Sequence, residues 1–150
     1  MKQQTVITTN IVVPPHKLHV KREYIEKEIV KYEQKNYSND IGYIYRILDI
    51  LSIENLAVVQ GDFSGNVVYR VKFMVENCNP EVGSTIDCEI LHSTAKITLA
   101  KNDPLKIIIV NEPGLPKLET GNQVTIEILC KEINYGAENI KIVGRFQSKK

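Results

Sequence analysis

The chain has 150 residues, 43% hydrophobic and 25% charged, with nineteen Lys and Arg against eighteen Asp and Glu for a formal net charge of +1. Such a composition is that of a globular chain rather than a disordered one, and the length allows one core or two small ones. No apolar run approaches the roughly 18 residues of a membrane span, the start Met1-Lys2-Gln3-Gln4-Thr5 lacks a secretory signal's apolar stretch, and the balanced charge argues against nucleic-acid binding by bulk electrostatics.

The chain carries 20 Ile but only 10 Leu, which leans it toward sheet because β-branched side chains fit strands. Thr5 to Val13 reads as a strand rich in Val, Ile and Thr, ended by Pro14-Pro15. From about Val20 to Lys35 the period becomes helical, with Val20, Tyr24, Ile25, Ile29 and Tyr32 on one face. Asn36 to Asp40 reads as a polar helix exit. Ile41 to Leu51 is a dense strand that Ala57-Val58-Val59 either extends or follows with another. Gly61-Asp62-Phe63-Ser64-Gly65-Asn66 is a turn, and Val67, Tyr69, Val71, Phe73 and Val75 alternate in the strand after it. The order strand, helix, strand, strand predicts an α+β module.

Pro80 and Gly83 break the chain, so the expected division is residues 1–80 and 81–150. Beyond it only strands are predicted. Ile86, Cys88 and Ile90 alternate, Ile97 and Leu99 open a second strand, and Asn102-Asp103-Pro104 turns into Leu105 to Val110. Val124, Ile126, Ile128 and Cys130 alternate in a fourth, and Ile140, Ile142, Gly144 and Phe146 in a fifth. Five short strands with this spacing predict a C-terminal all-β barrel of the OB type.

Little in the sequence suggests catalysis. Phosphate-loop, dinucleotide, zinc-protease and serine-hydrolase motifs do not occur, and no nucleophile stands with a base, so the chain is expected not to be an enzyme. His16, His19 and His92 stand apart from any Cys or carboxylate cluster, and no metal or cofactor is expected. Cys78, Cys88 and Cys130 show no CxxC spacing; Cys88 and Cys130 are expected at inward strand positions, as small hydrophobes in a reducing compartment.

Several stretches, taken in order, resemble one family. Ile11-Val12-Val13-Pro14-Pro15-His16-Lys17-Leu18 resembles its strand entering a Pro-then-hydrophobic loop, and Gly42 to Ile50 its aliphatic strand ending in Asp-Ile. The Gly61 to Gly65 turn before Val68-Tyr69-Arg70-Val71-Lys72-Phe73, the Asn79-Pro80-Glu81-Val82-Gly83 entry, and the closing hairpin to Ile140-Lys141-Ile142-Val143-Gly144 follow in register. The whole resembles the stalk subunit of multisubunit DNA-directed RNA polymerases, represented by the seventh subunit of eukaryotic RNA polymerase II and its archaeal counterpart.

The resemblance implies a non-catalytic transcription subunit that docks on the polymerase core near the clamp. The matching core-docking positions are Pro14, Pro15, His16, Gly61, Asp62, Phe63, Ser64 and Gly65. It implies a second stalk subunit as partner and weak contact with nascent RNA through the barrel, and it places the chain inside the cell at the site of transcription. That site is the nucleus, or the cytoplasm and virion if the source is a large DNA virus, as the Ile, Lys and Asn excess with a shortened barrel suggests. The basic and aromatic candidates for RNA are Lys96, Lys101, Lys106, Lys131, Tyr135, Lys141 and Arg145. Where the family often has an aromatic in the early barrel strands, this chain has Ser93-Thr94-Ala95-Lys96-Ile97. Residues 81–150 hold nine Lys or Arg and nine Asp or Glu, so any RNA contact is local. A freestanding OB-fold binder of single-stranded nucleic acid is the alternative.

Overall fold

The computed structural model describes residues 2–58 and 65–149, so Val59 lies outside the described residues. Among these residues nine strands and one short α-helix make the chain mostly β. The chain forms two compact units, Met1–Gln34 with Ile44–Cys78, and Lys35–Tyr43 with Asn79–Lys150. The short segment 35–43 therefore groups with the C-terminal residues and not with its sequence neighbours.

In the first unit, β1 (Lys2–Val13) pairs antiparallel with β4 (Val67–Cys78) along its whole length, from Lys2 opposite Cys78 to Val13 opposite Val67. Between them in sequence come a 3-10 turn (Pro15–Val20), α1 (Lys21–Val30), β2 (Lys35–Ser38) and β3 (Gly42–Val58), and the strands of this unit lie in the order β1-β4-β3. Pro15 opens the 3-10 turn because its missing N–H is one that no helical bond would have used there. The helix stops at Val30, short of the expected Lys35, in turns closed by Tyr32 and Glu33 amides onto Ile29 and Val30 carbonyls. Gln34 then takes a left-handed φ of 59° that ends helical propagation. β3 runs unbroken to Val58, since residues 43–58 contain neither Gly nor Pro to interrupt it.

Two periodicities meet in this unit's core. Tyr69, Val71, Phe73 and Val75 are buried from alternating positions of β4, and Ile7, Ile11 and Val13 from β1. Ile25 and Ile29, one helical turn apart, are buried with them, and the Tyr32 ring stacks parallel to Phe73 at 6.2 Å. Across the sheet Glu76 on β4 meets Lys2 of β1 at 3.5 Å and Arg46 of β3 at 3.6 Å.

The second unit is a closed barrel of β5 (Thr85–Ser93), β6 (Ile97–Asn102), β7 (Leu105–Val110), β8 (Gln123–Glu132) and β9 (Ile140–Lys149). Its order is β5-β6-β7-β9-β8, every pair antiparallel except β7 with β9, which closes the barrel in parallel. This arrangement is consistent with an OB-type barrel. The interior is aliphatic: Ile90, Ile107, Ile109, Ile126, Ile128, Ile140 and Ile142 are all buried. Gly144 faces inward where a Cβ would collide with the end of the Ile126 side chain.

Three register shifts interrupt the alternation, one between Ile90 and His92, a second between Ile128 and Cys130, and a third between Thr125 and Ile126, where Gln147 of β9 is the added residue. Each inserts an extra residue and turns the following side chains to the other face. The second corrects the sequence expectation for Cys130. With Ile128 opposite Gly144 and Cys130 opposite Val143, Leu129 is the added residue, and Cys130 is exposed instead of inward. Cys88 does lie inside, and burial, helped by the Asp87 carboxylate, pushes its thiol up to about 11. No helix among the described residues is long and apolar enough to cross a membrane.

Thiol accessibility checks the barrel phase directly. In the native protein at about pH 8, Cys130 is expected to react with an aromatic disulfide reagent, while buried Cys78 and Cys88 react only after unfolding. Rapid reaction of Cys88 in the folded state would contradict the inward placement of β5.

Candidate functional site

The barrel's outer surface is ordered by its register. Lys101 on β6 lies opposite Lys106 on β7, and Lys106 lies in register with Lys141 on β9. The row continues to Glu89 beside Lys101 at one end and to Glu132 beside Lys141 at the other. Like charges placed directly across a ladder are unfavourable. Lys106 has a lysine on both sides, and none of the three makes an ion pair among the described residues.

One step along the strands the same face becomes apolar. Leu99 lies opposite Ile108, and Ile97 opposite Val110. Leu99 is 38% exposed and Ile108 40%. The inward positions between them on β6 are small, Thr98 and Ala100. A buried threonine is acceptable here because its hydroxyl donates to Asn111 Oδ1 at 2.8 Å and lies 3.0 Å from Ser93 Oγ. Leu91, the added residue of the first register shift, is 43% exposed. Leu91, Leu99 and Ile108 thus floor a groove of about 410 Å³, with Lys101, Lys106 and Lys141 on its flank and Asp103 at its turn end.

The other candidates for RNA are spread out. Lys131 is already engaged, its Nζ donating to Asn79 Oδ1 at 2.7 Å and to the Pro80 carbonyl at 2.9 Å. Arg145 pairs with Glu112 at 3.4 Å. Lys96 is exposed in the loop between β5 and β6. Tyr135 projects from the β8–β9 loop, 75% exposed.

That loop is held by a residue that no motif or periodicity singles out. Asn36, only 2% exposed, donates from Nδ2 to the carbonyls of Asn139 at 2.7 Å and Asn134 at 3.2 Å. Its backbone N–H donates to the Ala137 carbonyl at 2.8 Å, and its own carbonyl accepts from Gly136 at 3.0 Å. Asn79 fastens the same segment, donating to the Asn39 and Asp40 carbonyls at 2.9 and 2.8 Å. Tyr43 also lies in this segment, and burial, with Glu138 and Asp103 nearby, raises its phenol above the ordinary tyrosine range.

For core docking, Gly65 has φ +78° and lies so close to Pro15 that a Cβ on it would stand 3.0 Å from Pro15 Cγ. Pro15 and His16 are exposed and Pro14 is half-buried, at the sheet end where Val13 pairs with Val67. The structure therefore brings Gly65 to the Pro14-Pro15-His16 loop. Gly61, Asp62, Phe63 and Ser64 lie outside the described residues. Among the described residues no group of three or more His, Cys, Asp or Glu gathers as a metal site would require. Comparison with known protein families and with curated proteins finds nothing that matches this chain.

The Asn36 clasp generates a stability prediction. Asn36→Ala leaves two loop carbonyls without their donor and is expected to cost about 1–3 kcal/mol in urea unfolding. Asn36→Asp, which turns an acceptor toward those carbonyls, is expected to cost more. In both variants amide exchange around Tyr135 should quicken; an unchanged unfolding midpoint would show that the clasp carries no stability.

Proposed function

We propose that this chain is a non-catalytic stalk subunit of a DNA-directed RNA polymerase. The observation that carries the reading is the succession of a sheet with one helix and then a closed barrel, in a chain whose segments resemble that family throughout. The first unit docks on the polymerase core through the end of the sheet where Pro14, Pro15 and His16 meet Gly65. A second stalk subunit is the expected neighbour, and the protein works where transcription occurs.

RNA contact is auxiliary in this reading. It falls to Lys96 and Tyr135, on the β5–β6 and β8–β9 loops, which correspond to the loops that flank the ligand face of OB barrels. One exposed tyrosine offers stacking on the order of 1–3 kcal/mol for a single base, too little for tight binding alone.

The decisive experiment is affinity purification of the tagged chain from its native cell or infected cell, with the co-purifying chains identified. The large catalytic polymerase subunits are expected in stoichiometric amount. Recovery of the chain as a free monomer would overturn the proposal. Gly65→Val sharpens the assignment, because a β-branched side chain at positive φ against Pro15 strains the tip by about 1–2 kcal/mol. The variant is expected to keep its circular-dichroism spectrum and to lose polymerase subunits on purification. Undiminished co-purification would remove Gly65 and Pro15 from the docking surface.

A further inference from the structure

The groove on β6 and β7 lies on the face that OB barrels use for ligands, yet its chemistry differs from that of a base-stacking platform. Its floor is Leu91, Leu99 and Ile108, and no aromatic side chain among the described residues lines it. Nucleobases stack on aromatic rings and arginine planes, whereas an aliphatic floor takes aliphatic side chains. The apolar strip continues to Ile97 and Val110, 38% and 48% exposed, so it is a contiguous face and not a single exposed residue.

Charge specifies the occupant further. Glu89 faces Lys101 and Glu132 faces Lys141, so the ends of the row have acidic neighbours and its centre, Lys106, has none. A carboxylate brought from outside over Lys106 would relieve the repulsion between the three ammonium groups. Asp103, in the turn between Lys101 and Lys106, lines the same end of the groove but makes no ion pair with the lysines among the described residues.

We infer that the outer face of β6 and β7 docks a protein segment that presents aliphatic side chains beside carboxylates, and that nucleic acid is not its ligand. Leu91, Leu99 and Ile108 receive the aliphatic groups, and Lys106 is the central charge partner. The inference rests on the barrel alone and stands whether or not the chain belongs to a polymerase.

The test uses the whole purified chain and two labelled probes: a peptide of Leu and Glu at helical spacing, and single-stranded oligouridylate. Binding is followed by fluorescence anisotropy and by backbone amide shifts. The Leu/Glu peptide is expected to move the amides of Leu99, Lys106 and Ile108, and a Leu/Lys counterpart to leave them still. Lys106→Glu and, separately, Ile108→Ser should each weaken the Leu/Glu peptide by about tenfold or more. Both positions are exposed, and retained circular-dichroism spectra establish that the variants remain folded. Three results would overturn the inference: oligouridylate moving those three amides, equal binding of the Leu/Lys peptide, or affinity unchanged in both variants. Co-purification with polymerase is measured independently, so failure here is distinguishable from failure of the stalk assignment.

Discussion

Closure of the barrel between β7 and β9 is the constraint from which the surface chemistry follows. The pairing is parallel, so β9 returns alongside β7 with Lys141 level with Lys106 and Ile142 level with Ile107. Inside, this brings Ile107, Ile109, Ile140 and Ile142 into one buried set. Outside, it sets a third lysine beside a pair already opposed across the β6–β7 turn. The same hydrogen-bond ladder thus makes the core and concentrates the charge. A row with lysines at its centre is held there by the burial of isoleucines on the opposite face.

The register shifts matter because strand side chains have period two. A single added residue reverses every later orientation on that strand, and this barrel uses the device three times. At Leu91 it exposes a leucine beside Leu99 and Ile108 and helps to form the groove. At Leu129 it exposes Cys130, which a steady alternation from Val124 would have buried. The apolar floor is therefore a product of strand geometry as much as of composition, and the small inward side chains Thr98 and Ala100 leave the larger ones on β6 facing out.

Asn36 supplies an organising contact of another kind. A segment that lies between a helix and a long strand in sequence forms hydrogen bonds with the β8–β9 loop, using both its backbone and its side chain. Buried amide groups stabilise strongly only when their partners are fixed, so one residue sets the shape of the loop that carries Tyr135. Lys131 plays a similar part at the chain's entry to the barrel, where its ammonium joins Asn79 and Pro80. A lysine counted by sequence among the surface cations is thereby engaged in holding that entry in place.

Local pattern determined much of this protein. The alternation of Tyr69, Val71, Phe73 and Val75, the helical spacing of Ile25 and Ile29, and the turn at Asn102-Asp103-Pro104 each name their elements, because periodicity and turn chemistry act over a few residues. The lysine pair was also within reach. Lys101 and Lys106 flank that turn symmetrically, and counting back and forward by two from them puts Leu99, Ile97, Ile108 and Val110 on the lysine face. What tertiary structure alone decided was the arrival of Lys141 beside Lys106, the exposure of Cys130 and the burial of Asn36. Each depends on closure, on an inserted residue or on a partner far along the chain, and the free energy of such contacts leaves no periodic trace in the residues that make them.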